Sequence, residues 1–419
     1  MKKIGINIIG YVNKKFGLGQ AVRSNISAIK SIKIPLSVNN FTLSNEIEEI
    51  LVESSNNNPY QVNLVQINFD KLPELIREKN KEYFEKKYNI GYWVWETENF
   101  PDQAKVFFDF FDEIWTASDF CVEAISKKVS IPVFKVPHPV SFDFEKYITS
   151  QVNEKFVFLT MFDYNSSINR KNPSDAIIAF EKAFGKNNPK VELIIKTSKS
   201  DNFQEEKSKL LHLINSNTSI KIIEEILSET DLYKLIGSCN CFVSLHKSEG
   251  FGLTMGEAML MGKPVIATAY SANTDFMNLN NSYLVGYEME KIGSNYYFNS
   301  ETDYWAKPNI NCAVKQMKEV FENQNEAIEI GKLAQKEMLM KYNNKYIGNL
   351  ILNRLKVLEP AILNKNSEKI DVNLLKFENK LLEEKLNLLR KLKCVKFKVS
   401  FKNFINKLKG KNRKYLWEK

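Results

Sequence analysis

Two glutamates flank a glycine-rich turn in the segment SEGFGLTMGEAM, which spans residues 248–259. The apolar run before it, CFVSLH, predicts a strand whose carboxyl end presents Glu249 at a sheet edge, where open α/β sheets bind ligands. Gly250 and Gly252 carry no side chains, so a bound anion can approach the backbone at the start of the next helix, where free N–H groups attract negative charge. The pattern predicts a phosphate site with a carboxylate on each side, Glu249 and Glu257.

Carboxylates in this arrangement can accept hydrogen bonds from hydroxyl groups on either side of a bound diphosphate. One would bind the transferred sugar and the other the ribose of a nucleotide, so the spacing favours a nucleotide sugar. Glu257 has a second interpretation, because it follows Thr254 by three residues and a helix beginning near Thr254 would let it form a capping box. Glu249 has no comparable structural role, since a carboxylate beside anion-binding N–H groups gains little unless a ligand bridges them.

A second pattern of strand, loop and helix lies in FLTMFDYNSSINRKNPSDAIIAFEKAF, residues 158–184. The helix is predicted to begin with Asn172 as its cap and Pro173 at its first position. Arg170 and Lys171 come immediately before that cap, where charge-assisted bonds to a phosphate are strong. A solvated basic pair on the loop explains the same two residues.

The segment SLHKSEGFGLTMGEAMLMGKPVIAT, residues 244–268, resembles the donor-site signature of the GT-B retaining glycosyltransferases of family four. That signature has two glutamates separated by seven residues and then a GxPVIAT-like strand. The resemblance implies that Glu249 contacts the donor sugar and Glu257 the ribose. It also assigns the diphosphate to the residues that follow Glu249, namely Gly250, Phe251, Gly252 and Leu253, with Thr254 beside them.

In the same family a basic pair in the loop after the earlier strand neutralises the leaving diphosphate, which implies this role for Arg170 and Lys171. Most relatives carry a further arginine earlier in that loop, where this sequence has polar residues and one aspartate. Ser166 or Ser167 is the candidate to bind phosphate in its place. His246, three residues before Glu249, is a candidate to line the donor pocket.

Two motifs in the first third of the chain complete the candidate site. YVNKKFGLGQAVRSNISAIK, residues 11–30, places Gly17 and Gly19 before a predicted helix and resembles the family's N-terminal glycine loop, which faces the cleft. A plain tight turn explains these glycines equally well. The segment YWVWETENFP, residues 92–101, ends a predicted strand with Glu96 and Glu98, where many relatives have a cleft-facing His or Glu, so Glu96 is the candidate acceptor-side carboxylate. Its tryptophans fit a buried strand.

Short apolar runs alternate with polar, helix-like segments through both halves of the chain, which predicts two parallel sheets with covering helices. The expected fold class is α/β of the GT-B type, with two Rossmann-like domains facing a central cleft. We divide the chain into an acceptor-side domain (1–140), a donor domain (141–360) and a helical basic tail (361–419). Residues 314–358 are predicted to be helical, and Pro360 is expected to stop the helix.

Composition excludes several classes of protein. The 419 residues are 43% hydrophobic, enough for large cores, and no apolar run approaches the ~18 residues of a membrane span. Five scattered cysteines without CxxC spacing predict neither a disulfide framework nor a zinc site. With three dispersed histidines and no Asp-x-Asp sequence, we expect no bound metal and no cofactor. The start MKKIGINIIG lacks the features of a secretory signal, so we expect a cytoplasmic protein.

The positive charge is concentrated at the end of the chain. Residues 390–419 hold twelve Lys and Arg and one acid, which leaves 47 basic and 49 acidic side chains in residues 1–389. Apolar residues recur at helical spacing between these lysines, which predicts an amphipathic helix on the anionic inner face of the cell membrane. The alternation in VKFKVSF also permits a strand, and a solvated basic tail fits the composition. No recognised motif supports nucleic acid as a partner.

The sequence therefore predicts a retaining glycosyltransferase that moves a hexose from a GDP- or UDP-linked donor to a glycan or lipid-linked acceptor in surface polysaccharide synthesis. Catalysis would be electrostatic, with no protein nucleophile, because the resemblance implies attack from the face of the leaving group. Two alternatives stay open. One is a GT-B phosphorylase or epimerase, and the other is a non-catalytic membrane scaffold that binds nucleotide sugars.

Overall fold

A computed structural model describes residues 4–42, 49–148, 154–293 and 303–365. Within these ranges the chain forms two six-stranded parallel sheets and one antiparallel hairpin. Both sheets are built from strands joined by helical crossovers, as parallel pairing requires. This is the predicted arrangement of two Rossmann-like halves.

The first sheet has the strand order β2-β1-β3-β4-β5-β6. Its strands are β1 (Ile6–Gly10), β2 (Leu36–Asn40), β3 (Val62–Gln66), β4 (Tyr88–Tyr92), β5 (Glu113–Thr116) and β6 (Val133–Lys135). Every residue of β1, β3, β4 and β5 is buried, which is why these strands were readable as apolar runs. The edge strand β2 was not predicted, because LSVNN is short and largely polar.

The second sheet has the order β12-β11-β10-β7-β8-β9. Its strands are β7 (Phe156–Met161), β8 (Val191–Thr197), β9 (Ile220–Glu224), β10 (Cys241–Ser244), β11 (Val265–Thr268) and β12 (Tyr283–Val285). The order reverses between β7 and β10, so the connections from these two neighbouring strands leave in opposite directions. The crevice at such a reversal is where doubly wound sheets bind ligands.

Eleven α-helices lie in the described ranges. They are α1 (Gly17–Ser31), α2 (Leu72–Lys79), α3 (Asp119–Ser126), α4 (Ile168–Lys171), α5 (Pro173–Phe184), α6 (Gln204–Ile214), α7 (Glu229–Ser238), α8 (Leu253–Leu260), α9 (Ile310–Glu322), α10 (Gln324–Lys341) and α11 (Asn344–Leu363).

The predicted helical region at 314–358 is divided into three helices rather than being continuous. Asn309 and Asn343 cap α9 and α11 with side chains that accept backbone N–H groups. Helix α11 continues through Pro360 to Leu363, so the expected stop at the proline is wrong. Ile347, Ile351, Leu355 and Leu358 of α11 are buried, whereas Tyr346 is exposed.

Helix α11 packs on the first half of the chain. The Ser31 hydroxyl of α1 donates to the Asn344 carbonyl at 3.1 Å, and Arg354 forms an ion pair with Glu113 on β5. The domain boundaries at residues 140 and 360 stay a prediction. Helix α11, which those boundaries assign to the donor domain, is attached to the first sheet. Residues 366–419, which include the basic tail, lie outside the described residues.

An antiparallel hairpin follows β12 and was not predicted. It consists of β13 (Tyr287–Lys291) and β14 (Tyr304–Pro308). Its first strand is mostly exposed, so it lacks the apolar pattern of a buried strand. Asp303, just before β14, is fully buried and accepts hydrogen bonds from Thr97 and Asn99 after β4. The hairpin therefore joins the edge of one sheet to a loop of the other.

Candidate active site

The two predicted donor-site motifs meet at the crevice between β7 and β10. Arg170 and Lys171 end the short helix α4, which follows β7, and Glu249 follows β10. The Lys247 N–H donates to the Arg170 carbonyl at 2.8 Å, which fastens the two connections together. Residues 78 positions apart in the chain therefore lie in one cluster, as the topology of a doubly wound sheet requires.

A single carboxylate oxygen holds both cations of this cluster. Lys171 Nζ lies 2.5 Å and Arg170 Nη1 3.2 Å from Glu249 Oε1, and all three side chains are largely buried. Arg170 Nη1 also donates to the Ser248 carbonyl at 2.9 Å. Burial alone would raise the pKa of Glu249, but the two cations outweigh it and hold the pKa at about 2. Glu249 is therefore ionised at every pH at which the protein would be assayed.

Glu96, the predicted acceptor-side carboxylate, lies beside this cluster. Arg170 Nη2 is 3.6 Å from Glu96 Oε1, and the Ser248 hydroxyl donates to the Glu96 carbonyl. Burial and the nearby Glu249 raise the pKa of Glu96, although Arg170 opposes the shift. About a third of the Glu96 side chain is exposed, so a ligand can reach it. The tryptophans of the same segment, Trp93 and Trp95, are buried in the core.

Helix α8 begins directly beside Glu249. Its cap, Gly252, has a φ of +96°, in the left-handed region that favours glycine. The N–H groups of Leu253 and Thr254 have no acceptor among the residues that the structure describes. An anion at this position would meet free N–H groups at the positive end of the helix.

The capping-box interpretation of Glu257 is wrong. The helix begins at Leu253 instead of Thr254, so Glu257 lies too far along it, and within the described ranges no group donates a hydrogen bond to the Glu257 carboxyl. The residue is nevertheless buried, and burial together with Glu229 raises its pKa to about 8. A buried carboxyl without a protein donor is costly unless a ligand pairs with it.

Asn172 stands at the predicted cap position before α5, with Pro173 following, but its side chain does not cap the helix. Its φ of 53° is left-handed, and its amide donates to the Leu245 carbonyl at 2.9 Å and to Asp175 at 2.6 Å. Asn172 therefore ties the loop after β7 to the end of β10. Its backbone N–H also donates to the Ile168 carbonyl and so ends α4, which supports the positions of Arg170 and Lys171.

The first half of the chain packs closely against the site at Gly250. A Cβ atom on Gly250 would lie 2.2 Å from Val94 Cγ1. The Gly250 carbonyl accepts hydrogen bonds from Ser118 Oγ at 3.0 Å and from Cys121 Sγ at 3.3 Å, both in the first half. Only glycine fits this approach, a reason that the sequence pattern did not reveal.

The side chains of His246 and Phe251 face the protein interior. His246 is fully buried, and its Nε2 lies 3.0 Å from Asn273 Oδ1 and 3.2 Å from the Tyr270 carbonyl. Phe251 packs against His138, Phe276 and Tyr342 in an aromatic cluster. His246 therefore supports the pocket from behind, and Phe251 can offer a ligand only its backbone.

The glycine loop of the first half is a close-packed helix start. A Cβ atom on Gly19 would lie 2.1 Å from the Lys14 carbonyl oxygen, whereas the space around Gly17 is open. The Arg23 guanidinium donates to the carbonyls of Val12 and Lys14, which fixes the loop in place. This supports the tight-turn interpretation for Gly19 and leaves Gly17 free for a ligand.

The loop before α4 contains the two candidate serines. The Ser166 N–H donates to the Asp163 carbonyl at 2.9 Å, and the residue is partly exposed. The Ser167 hydroxyl accepts the Arg170 N–H at 3.4 Å and so caps the short helix that carries the cations. Ser166 is therefore the serine with the freer side chain.

Ser271 was not predicted, and it supports Glu249 directly. Its hydroxyl accepts the Glu249 N–H at 2.8 Å. Its backbone, at φ 72° and ψ −151°, lies in a region that is essentially restricted to glycine. No local signal in AYSANTD identifies this role, because the contact spans 22 residues and the strain is a property of the fold.

One protein family has a model that matches the part of the chain containing this cluster. Residues 153–337, which contain the cluster of Arg170, Lys171 and Glu249, match the model of the glycosyl transferases of group 1. No protein with a curated description matches the sequence.

Solved structures resemble the whole fold at low sequence identity. HepE of Anabaena, in complex with UDP and glucose, is 14% identical with a TM-score of 0.60, and the match covers 85% of this chain and 100% of HepE. Sucrose-phosphate synthase of Thermosynechococcus elongatus is 12% identical with a TM-score of 0.63 over 85% of this chain and 100% of the synthase. A glycosyltransferase of Rickettsia africae is 13% identical with a TM-score of 0.61 over 87% of this chain and 100% of its own.

The two parallel sheets, with the site at the reversal between β7 and β10, define a protein of the GT-B fold. The part of the chain that carries Glu249 matches the group 1 glycosyl transferases, and by that match the chain is a glycosyltransferase. Among the described residues, no group of three or more His, Cys, Asp or Glu side chains is arranged to hold a metal ion. None of the helices described is long and apolar enough to cross a membrane.

Proposed function

We propose that this glycosyltransferase transfers a hexose from a UDP- or GDP-linked donor to a glycan or lipid-linked acceptor of a surface polysaccharide, with retention at the anomeric carbon. One observation carries the proposal. Arg170, Lys171 and Glu249 form a buried ion cluster beside the free N–H groups of Leu253 and Thr254. Two cations and a helix end suit a diphosphate, and the carboxylate suits a sugar hydroxyl.

Binding of the donor would exchange partners within this cluster. Without ligand, Glu249 neutralises both cations. A bound diphosphate competes for Lys171 and Arg170 and releases a Glu249 oxygen to accept a hydrogen bond from a hydroxyl of the sugar. Glu257, whose carboxyl accepts no hydrogen bond from the described residues, would bond to a hydroxyl of the ribose.

The reaction breaks the bond between the anomeric carbon and the phosphate oxygen and forms a bond to the acceptor oxygen on the same face. The acceptor proton passes to the departing phosphate. Negative charge develops on the diphosphate, and Arg170, Lys171 and the α8 N–H groups stabilise it. Glu96 lies on the acceptor side of Arg170 and would orient the attacking hydroxyl. No step needs a protein nucleophile, and none needs a metal.

A UDP-linked donor is the first to test, because the HepE structure holds UDP and glucose. The thermal unfolding of the full chain would be measured without ligand, with UDP-linked hexoses and with GDP-linked hexoses. A donor at ~100 times its dissociation constant should stabilise the protein by about 2.7 kcal/mol. Nucleotide release would then be measured with the stabilising donor and membranes as the source of acceptor.

Glu249→Ala should lose nucleotide release and weaken donor binding, while the exposed control Glu322→Ala should behave like the parent. If the parent releases no nucleotide with any donor and Glu249→Ala binds donor as well as the parent does, the transferase proposal fails. A requirement for inorganic phosphate would instead indicate a phosphorylase. Conversion of the donor without an acceptor would indicate an epimerase.

We also propose that residues 390–419 hold the enzyme on the cytoplasmic face of the membrane. Their twelve basic residues support this, at about 1 kcal/mol for each Lys or Arg near an anionic surface. The full chain should co-sediment with vesicles that contain phosphatidylserine and much less with pure phosphatidylcholine vesicles. A chain that ends at residue 389 should lose the difference. Equal sedimentation of the two chains would contradict a membrane role for the tail.

A further inference from the structure

A cavity of about 370 Å³ opens beside the ion cluster. Helix α3 of the first half forms one wall, and the loop after β11 with the start of β13 forms the other. The volume lies within the range of small-molecule sites. The proposed donor site does not use this space.

Three aromatic rings form a row in the wall of the cavity. The ring centroids of Phe120 and Tyr270 are 5.6 Å apart, and those of Tyr270 and Tyr287 are 5.1 Å apart. The Tyr270 hydroxyl donates to Glu98 at 3.0 Å, which fixes the central ring. Tyr270 is buried, whereas Phe120 is partly exposed and Tyr287 is 40% exposed. The two outer rings are therefore held in place with surface left for a ligand.

The charged groups of the cavity are mostly carboxylates. Glu98, Asp119, Glu123 and Asp275 line it, against one lysine, Lys127. Lys135 pairs with Asp119 at 2.6 Å and with Asp275 at 3.3 Å and offsets part of this charge. The remaining surface is net negative, since neither Glu98 nor Glu123 forms an ion pair with a cation among the residues that the structure describes. It can accept hydrogen bonds from hydroxyl groups and repels anions.

Two lining residues of the cavity, Ser271 and Glu98, adjoin residues of the candidate active site. Ser271 accepts the Glu249 N–H, so the cavity wall also supports the donor-site carboxylate. Glu98 follows Glu96 by two residues on the loop after β4. A molecule in the cavity would lie next to the position at which an acceptor hydroxyl must attack.

We propose that this cavity is the acceptor subsite and that it takes an uncharged hexopyranosyl residue. The C–H face of the pyranose packs on Phe120 and Tyr287, and its hydroxyls donate to Glu98 and Glu123. An acceptor residue that carries a carboxylate or phosphate at this position is repelled. This inference rests on the proposed function, because only a transferase needs a second sugar site.

The test uses the full chain, saturated with UDP, in saturation-transfer difference NMR. The probes are the methyl glycosides of glucose, galactose, mannose and N-acetylglucosamine, with methyl glucuronide as the anionic match to the glucoside. At least one neutral glycoside should bind, and the glucuronide should bind more weakly than the glucoside. Phe120→Ser with Tyr287→Ser should weaken that binding by about two- to tenfold, because it removes both rings.

Glu123→Lys should bring the glucuronide affinity about two- to fivefold closer to that of the glucoside, whereas the exposed Glu322→Lys, with the same change in net charge, should not. Two results would overturn the proposal: binding of none of the neutral glycosides, or glycoside binding that neither cavity variant alters. Thermal unfolding with and without UDP-hexose would measure donor binding for every variant. Each variant should bind UDP-hexose as tightly as the parent does. If the parent itself does not bind UDP-hexose, the proposed function fails instead. Failure of the acceptor subsite and failure of the proposed function are therefore distinguishable.

Discussion

Lys171 Nζ lies 2.5 Å from Glu249 Oε1, and Arg170 shares the same oxygen at 3.2 Å. The residues that the sequence assigned to opposite ends of a donor, cations to the phosphate and carboxylate to the sugar, are thus bound to one another when no donor is present. Breaking a buried pair by removing one partner costs about 3 to 5 kcal/mol. The cluster is therefore a structural element of the protein, and under the proposed function it is also the group that a donor would rearrange.

Replacement of Lys171 should change how donor binding depends on pH. In Lys171→Met only Arg170 opposes the effect of burial, so the pKa of Glu249 should rise from about 2. Protonation of Glu249 in the variant should then weaken donor binding as the pH falls, at pH values where the parent is unaffected. Titration calorimetry with the donor at several pH values would measure this. Lys182→Met, at an exposed position on α5, should follow the parent; identical pH profiles for Lys171→Met and the parent would argue against the cluster.

Glu257→Gln should stabilise the protein at alkaline pH. The pKa of Glu257 is raised from 4.5 to about 8, so between these values folding takes up a proton and stability falls by about 1.4 kcal/mol per pH unit as the pH rises. Below pH 4.5 the carboxyl is protonated in both states and the penalty is absent. Thermal unfolding should show the variant and parent converging near pH 4.5 and the variant increasingly more stable up to pH 8. A constant difference across this window would show that the Glu257 carboxyl does not titrate as described.

Gly250→Ala should disturb the contact between the two halves of the chain. Its Cβ would meet Val94 Cγ1 at 2.2 Å, and overpacking of this kind costs about 1 to 3 kcal/mol. Turnover should fall, because the same loop carries Glu249. Val94→Ala removes the clashing methyl group, so the double variant should recover stability and turnover that Gly250→Ala loses. A double variant no better than Gly250→Ala would mean that the clash with Val94 is not the cause.

Ser271→Gly and Ser271→Ala should differ in stability. Both lose the hydrogen bond to the Glu249 N–H, which contributes about 1 kcal/mol. Only glycine adopts φ 72° and ψ −151° without strain, so Ser271→Gly should be more stable than Ser271→Ala by about 1 to 3 kcal/mol. Urea denaturation of the three proteins would measure the difference. Equal midpoints for the two variants would show that the serine backbone is not strained.

Much of the fold was predictable because parallel strands are buried on both faces and therefore appear as apolar runs. The same reasoning failed for β2, whose LSVNN is polar at the sheet edge, and for the mostly exposed strand β13. It also missed the breaks between α9, α10 and α11. The caps Asn309 and Asn343 were the available signals for two of those helix starts.

The site was predictable where the topology brings loops together and unpredictable where contacts are long-range. Glu249 and Arg170 follow neighbouring strands at a reversal of strand order, so their meeting follows from the fold class. The hydrogen bond between Ser271 and Glu249 and the packing of Gly250 against Val94 depend on atomic positions that are fixed to within a few tenths of an ångström. No pattern of residue types specifies them.

Asp303 gives the hairpin a consequence for how this enzyme can change. Its carboxylate is buried and accepts hydrogen bonds from Thr97 and Asn99, which follow the acceptor-side Glu96 in sequence. A substitution at any one of these three positions leaves a buried polar group without its partner. Substitutions at positions 97, 99 and 303 should therefore occur together in evolution. Grafting the hairpin onto another glycosyltransferase should require all three residues.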